Sequence, residues 1–412
     1  MPGSWKREGS YEVWTNLVEE ARKAGVEVAS NTIGLWRRAA HGLARRLDYV
    51  LPINNIGDLI VYEEPTPGEK LAARFYEDFR NSVVAGIDSS RTRPLPIGLN
   101  YVSFVSGVLV ILRPPPPGEG SGEVEAMADS VVLPETGDYE HVGLELDLDM
   151  FSMEAGALQL ASGKYSRVIQ GLLMDGPLVD PPSLVSSARR GEAGLRAKAE
   201  GLARIRALSL ASLWSRGVVV AGFVKRARGR LLAGFLEEEE GFDFLKDVPD
   251  SLLALILRGV LEEQFKAIGA CTPHTRGLVV TRPVPLDSVS DRVPDAVVYE
   301  GFLEEAGYSG ARFYTSLVVP GGCAGNLRRP ARVEFLARSL EEARVEAVRV
   351  ASLVEAWLVP GAWLPSPVLV AHRACTIRSR EGGKLLREVA SRYALEALHG
   401  EPGAFPLIDI FS

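Results

Sequence analysis

The sequence predicts an α/β protein, in which a mixed β-sheet is flanked by helices and further helices are added at both ends of the chain. Two observations carry this prediction. The apolar runs in VVAGID (83–88), SRVIQGLLMDGP (166–177) and GVVVAGFVK (217–225) are typical of strands covered on both faces of a sheet. Apolar residues at helical spacing lie before, between and after these runs.

The elements of the first half follow from local patterns. YVSFVSGVLVIL (101–112) is rich in β-branched residues and predicts a strand, and the proline-rich segment 113–123 predicts a solvated loop. HVGLELDLDM (141–150) alternates apolar and acidic residues, which predicts a strand with one wet face. MEAGALQLAS (153–162) and the stretch 185–214 predict helices.

The remaining elements are mainly helical. Helical periodicity predicts helices within 10–50, at 250–268, at 333–358 and from Lys384 to Leu398. PVLVAHRACTI (367–377) is apolar and predicts a strand.

The predicted domain organisation has two parts. A helical region over 1–80 precedes a single domain over 81–412. That domain has a core at about 81–230, a helical insertion at about 231–360, and a C-terminal strand and helix at 365–412.

Bulk composition limits the function. The chain has 412 residues and a net charge of −7, so any contact with nucleic acid requires a local basic surface. No apolar stretch suits a membrane span and no signal-peptide core is present, so we expect a cytoplasmic protein. Three widely spaced cysteines, Cys271, Cys323 and Cys375, indicate neither a disulfide framework nor a zinc site. Scarce thermolabile residues fit a thermophile, although a GC-rich genome gives the same bias.

Three acids form the candidate active site. Asp88 and Asp175 each follow a buried strand, and each is followed by a small residue. If the two strands are neighbours in a parallel arrangement, both carboxylates meet at the same sheet edge. Glu154 lies on the predicted helix between them, beside the face that packs on the sheet. Three carboxylates at one edge suit Mg²⁺ or Mn²⁺, and a pair of such ions can cleave a phosphodiester.

Each acid alone has an ordinary explanation, because aspartate after a strand is common in turns and helix caps. The order of the three is more informative: a strand with Asp88, two further strands, a helix with Glu154, and a strand with Asp175. This is the order found in the ribonuclease H-like nuclease fold, which is therefore the predicted core.

Further residues extend this site. His372 is a candidate metal ligand or proton carrier, although histidine in an apolar segment is more often structural. Lys225 and Arg91 are candidates for phosphate contact. A basic region over 189–230 also predicts a phosphate-facing surface, with a solvated amphipathic helix as the alternative. This region includes Arg189, Arg190, Arg196, Lys198, Arg204, Arg206, Arg216, Lys225, Arg226, Arg228 and Arg230.

Five segments together resemble the NurA nuclease family of archaea. They are GIDSSR (86–91), MEAGALQLAS (153–162), LLMDGPL (172–178), GFVKRA (222–227) and LVAHRACTI (369–377). Each segment is short, but their order and spacing are more specific than any one of them.

The resemblance implies a NurA nuclease domain over 81–412 with a ribonuclease H-like core. It implies a ring-like homodimer around DNA and Mn²⁺-dependent 5′-to-3′ exonuclease activity on single- and double-stranded DNA, with endonuclease activity on single strands. It also implies a role in resecting double-strand breaks with a hexameric HerA-type ATPase, as an archaeal nuclease–ATPase complex.

By motif, Asp88, Glu154, Asp175 and His372 match the family's metal-site residues, and Lys225 matches its lysine after the last core strand. Arg91, Lys225, Arg226, Arg228 and Arg230 are the candidate DNA contacts. Two alternatives remain open: a ribonuclease H-like nuclease acting on RNA or on RNA–DNA hybrids, and a non-catalytic scaffold that loads a helicase.

Overall fold

The computed structural model describes most of the chain from residue 67 to residue 376. The described residues are 67–97, 100–114, 122–134, 139–179, 193–225, 229–238, 241–267, 277–289, 293–321, 330–358 and 364–376, with single positions at 34, 38, 39, 185, 384 and 388. Apart from those single positions, the helices predicted within 10–50 and at 384–398 lie outside the described residues. Among the described helices, none is long and apolar enough to cross a membrane.

The described residues form helices and strands in alternation. The helices are α1 Pro67–Arg80, α2 Tyr139–Leu160, α3 Ala193–Ser215, α4 Leu231–Glu238, α5 Asp250–Ala267, α6 Pro294–Glu305, α7 Leu340–Ala356 and α8 Ser366–Cys375. The strands are β1 Val84–Arg91, β2 Leu95–Ile97, β3 Asn100–Leu112, β4 Gly122–Pro134, β5 Gly171–Met174, β6 Val219–Val224, β7 Gly277–Val280, β8 Val284–Pro285, β9 Arg312–Gly321 and β10 Ala331–Ala337. A π-helical turn at Ala161–Tyr165 extends α2.

All ten described strands belong to one mixed sheet. Its order is β2-β3-β1-β5-β6-β10-β9-β7, with β4 paired to β3 and β8 paired to β9. β5 pairs in parallel with both β1 and β6, whereas β3 pairs antiparallel with β1 and with β4. An antiparallel meander beside three parallel strands is the ribonuclease H-like arrangement, so the predicted mixed α/β class is confirmed.

Helices cover both faces of the sheet. Ile87 of β1 packs in a core that contains Leu158 of α2 and Leu210 of α3. On the opposite face, Leu173 of β5 packs in a core that contains Leu353 of α7 and residues of α1 and α8. The central strands are thus buried on both sides, which accounts for their continuous apolar runs.

The segment 141–150 is the first half of α2, so the strand predicted there is wrong. Its apolar residues are mainly leucine, which favours a helix more than β-branched residues do. Val142 and Leu146 are buried at a spacing of one helical turn. The strand of the meander is instead β4, to which the sequence analysis assigns no element. The predicted order of elements survives because β4 takes the place of the strand expected at 141–150.

Residues 367–375 belong to a helix, α8, so the strand predicted over 367–377 is wrong. Val368, Ala371 and Cys375 are buried, and this i, i+3, i+7 spacing is helical. Pro367 in the first turn is a helix-start signal that outweighs the β-branched residues.

The segment at about 231–360, which the sequence predicts to be a helical insertion, contains strands as well as helices. It contributes β7 to β10, and β10 pairs with β6 so that the sheet continues into it. The helix predicted over 333–358 begins only at α7, after Ser339, whose hydroxyl accepts a hydrogen bond from the backbone N–H of Glu342. This capping serine and the buried run before it are the signals that separate strand from helix.

Two glycines let helices approach the sheet closely. A β-carbon at Gly86 of β1 would overlap the backbone carbonyl of Pro367, at the start of α8. A β-carbon at Gly107 of β3 would lie 2.6 Å from the β-carbon of Met153 on α2. Small residues at these two points therefore set the distance from the sheet to α8 and to α2.

Replacing Gly86 by alanine should destabilise the protein by about 1–3 kcal/mol, because the added methyl group forces α8 away from β1. Gly201→Ala in α3 is the matched control, since nothing lies within 4 Å of its β-carbon position. That control should stabilise the protein by about 0.5–1 kcal/mol. Chemical denaturation of both variants measures the effects, and equal stability of the two variants would contradict this account.

Candidate active site

The site lies where β5 ends and β1 continues. Met174, the last residue of β5, pairs with Ile87, and the backbone N–H of Asp175 donates to the Ile87 carbonyl at 2.8 Å. β1 runs on to Arg91 beside β3 alone. Asp88 therefore lies within β1 and not at its end. It reaches the sheet edge because its neighbour β5 stops beside it.

His372 of α8 joins the two aspartates. Its Nδ1 atom lies 2.8 Å from Asp88 Oδ2 and 3.2 Å from Asp175 Oδ2. The side chains of Asp88 and Asp175 are 7% and 6% exposed, whereas that of His372 is 48% exposed. The structure thus brings together three of the predicted site residues, with the histidine between the carboxylates and solvent.

Glu154 approaches from α2, on the other face of the sheet, and Ser89 links it to Asp88. The Ser89 backbone N–H donates to Asp88 Oδ1 at 2.8 Å, and the Ser89 hydroxyl donates to Glu154 Oε1 at 2.7 Å. Glu154 is 7% exposed. Successive residues of β1 point to opposite faces, so adjacent positions can hold an acid from each face.

Two permanent cations pair with the acids. Lys225, which follows β6, forms an ion pair with Asp175 Oδ2. Arg206 of α3 forms an ion pair with Glu154 Oε2 and donates to the backbone carbonyls of Pro177 and Leu178, just beyond Asp175. Burying a carboxylate without such a partner is costly, so these basic side chains offset the charge of the buried acids.

The surroundings of Asp88 shift the pKa of its carboxyl group. Burial, followed by the negative charges of Asp175 and Glu154, raises the pKa of Asp88 to about 8. A hydrogen bond with Cys375 acts in the opposite direction. A carboxyl group in such surroundings favours either a proton or a metal ion.

Sequence reasoning missed three residues of the site: Ser89, Arg206 and Cys375. The sequence pattern identifies Ser89 only as a small residue after Asp88. Arg206 was placed in the basic, phosphate-facing region, but its side chain is fully buried. Cys375 lies one helical turn after His372, so its contact with the site becomes visible only when 367–377 is read as a helix.

The candidate DNA contacts have varied surroundings. Arg91 forms an ion pair with Asp147 at 2.7 Å, in which both side chains remain partly exposed. Arg230 pairs with Glu237 and donates to the backbone carbonyls of Leu245 and Val248, contacts that brace the start of α4. Arg226 and Arg228 lie outside the described residues.

Comparison with known proteins gives matches among solved structures alone. No family model and no curated protein sequence matches this chain. A crystal structure of NurA with manganese is 12% identical, covers 78% of this chain and 96% of its own, and has a TM-score of 0.39. NurA bound to dAMP and manganese is 13% identical, covers 97% of this chain and 98% of its own, and has a TM-score of 0.38. Ciona intestinalis endonuclease V in complex with DNA is 14% identical, covers 78% and 96%, and has a TM-score of 0.30.

The donor atoms at the site fit a divalent cation. Asp88 and Asp175 present carboxylate oxygens to one point, where His372 adds a ring nitrogen. This set suits Mn²⁺, which accepts imidazole as well as oxygen, and the carboxylates alone suit Mg²⁺. Among the described residues, Asp88, His372 and Cys375 also form a group whose potential ligand atoms lie within 4.8 Å of one another.

Replacing Asp88 by asparagine should stabilise the metal-free protein, and increasingly so as the pH rises. Burial raises the pKa of this carboxyl group from its ordinary value of 3.8 to about 8 in the folded protein. The contribution of Asp88 to the free energy of unfolding is therefore fully present below the unfolded pKa. It is lost as the pH rises through the folded pKa. Asparagine does not titrate.

Melting temperatures in chelator, at about pH 6 and about pH 9, measure this difference. Asp78→Asn, at an exposed position of α1, is the control. A stability difference between wild type and Asp88→Asn that does not change with pH would contradict the assignment.

Proposed function

We propose that this protein is a metal-dependent nuclease that hydrolyses DNA phosphodiester bonds. One observation carries the proposal: two buried aspartates from neighbouring parallel strands meet at one histidine at the sheet edge. A third buried acid is linked to them through Ser89. A cluster of acids that costs folding free energy is expected where a site binds metal.

Asp88, Glu154 and Asp175, with His372, would hold the cations. Mn²⁺ is the proposed cofactor, Mg²⁺ is the alternative, and two ions per site fit the number of carboxylates. When bound, such ions supply positive charge that makes water more acidic and offsets charge developing on the phosphate.

The chain's own residues set the geometry of this chemistry. The Ser89 hydroxyl holds one oxygen of Glu154, and Arg206 holds the other, so the orientation of that carboxylate is fixed. Lys225 pairs with Asp175, and its ammonium group would be available to a phosphate oxygen if a cation were held by that carboxylate. The exposed ring of His372 can carry a proton between the site and solvent.

The choice of DNA and its mode of cleavage rest on the family resemblance of the sequence motifs. We propose 5′-to-3′ exonuclease activity on single- and double-stranded DNA, with endonuclease activity on single strands. We also propose that a homodimer acts with a HerA-type ATPase in double-strand-break resection. Arg91, Lys225, Arg226, Arg228 and Arg230 are the proposed contacts to the DNA backbone.

Asp88→Ala should lower metal-dependent cleavage by at least about 10²-fold, because it removes the acid shared by His372 and Ser89. The measurement is digestion of single strands labelled at the 5′ or the 3′ end, with Mn²⁺, with Mg²⁺ and with chelator. The exposed Asp78→Ala variant serves as the control and should digest DNA like wild type.

The same assay separates the alternatives. Full cleavage by folded Asp88→Ala would sink the site assignment. Cleavage of matched RNA or hybrid strands in preference to DNA would identify a ribonuclease, and DNA binding without cleavage under any metal would indicate a scaffold. The label released first gives the polarity.

A further inference from the structure

The donor atoms around Asp88 include a sulfur atom that the proposed nuclease chemistry does not use. Cys375 is 1% exposed, and its thiol donates to the His372 backbone carbonyl at 3.5 Å. It lies three residues after His372, so one turn of α8 directs both side chains toward β1. Asp88, His372 and Cys375 thus place an oxygen, a nitrogen and a sulfur within 4.8 Å of one another.

Both elements that carry these donors are fixed in place. Gly86 lets the first turn of α8 rest directly against β1. At the other end of the helix, the Ser106 hydroxyl of β3 donates to the Cys375 carbonyl at 2.7 Å. Val368 and Ala371 fill the space between helix and sheet. Metal ligands held by rigid elements keep their geometry when a metal binds.

We propose that Asp88, His372 and Cys375 bind a thiophilic divalent cation, Zn²⁺, Cd²⁺ or Co²⁺, at a site that overlaps the nuclease metal site and blocks it. The inhibition of cleavage rests on the proposed function, whereas the binding of the cation by these three residues does not.

The chemistry of the three donors supports this choice of cation. Mg²⁺ binds oxygen and avoids sulfur, whereas Zn²⁺ and its relatives accept carboxylate, imidazole and thiolate together. Three protein ligands leave one position of a tetrahedral ion for water, and the 48% exposure of His372 shows that solvent reaches the site. Because Asp88 belongs to both sites, occupancy by a thiophilic ion excludes the ion that cleavage requires.

Binding displaces the thiol proton of Cys375. The sulfur–hydrogen bond of Cys375 breaks and a sulfur–metal bond forms, and the proton leaves to water. No electrons are transferred. The affinity should therefore rise with pH.

The test is a titration of the reduced, metal-stripped full-length protein with Co²⁺, followed by the sulfur-to-cobalt charge-transfer absorption in the near ultraviolet. Wild type should show the band. The double variant Cys271→Ser, Cys323→Ser should keep it, because the third cysteine remains. Cys375→Ser should lose it and bind Co²⁺ at least about tenfold more weakly.

X-ray absorption spectroscopy of the wild-type cobalt complex does not depend on the folding of any variant. We expect it to detect a sulfur atom bound to cobalt. Absence of sulfur in that shell, or a band that persists in Cys375→Ser, would overturn the inference. A cobalt band in a protein that cleaves no nucleic acid would leave the inference standing and remove the proposed function. Mn²⁺-dependent cleavage without any cobalt–sulfur band would overturn the inference and leave the proposed function standing.

Discussion

The parallel pairing of β1 with β5, together with the early end of β5 at Met174, is the constraint on which the site depends. It places Asp88 and Asp175 side by side at an edge that is covered by helices on both faces. Two carboxylates in such surroundings repel each other strongly, because little water screens them. The neighbouring cations and the position of α8 can be understood as responses to this one arrangement.

Charge compensation extends well below the surface. Arg206 links Glu154 to the backbone that follows Asp175, and Glu334 of β10 accepts hydrogen bonds from the backbone N–H groups of Leu178 and Val179 in the same turn. Arg332 pairs with Glu334 at 3.0 Å. The turn after β5 is thus held by buried charges from α3 and β10, so the insertion that carries β10 also supports the site.

The position of α8 shows how the fold couples metal chemistry to packing. His372 and Cys375 approach Asp88 from a helix that is seated on Gly86, and the contact joins residues 284 positions apart in the chain. The ring nitrogen of His372 and the sulfur of Cys375 therefore lie beside the same carboxylate, so hard and soft ligand atoms occur at one site. The same packing would serve two cation chemistries, one productive and one inhibitory.

Much of the core could be predicted from the sequence because burial leaves a direct record in it. Strands covered on both faces must be apolar throughout, so β1, β5 and β6 are visible as uninterrupted runs. A charge at the end of such a run is costly, and this marked Asp88 and Asp175 as candidates. The two aspartates and the three strands β1, β5 and β6 could therefore be predicted from local sequence.

Tertiary structure decided the rest, because the remaining choices depend on partners distant in sequence. Leucine-rich and β-branched segments at 141–150 and 367–377 are compatible with strand or helix, and packing against the sheet selected the helix in both. Arg206 looked like a surface cation until the buried Glu154 gave it a partner. Widely spaced cysteines indicated no metal site, since only the folding of α8 onto β1 brings Cys375 to Asp88.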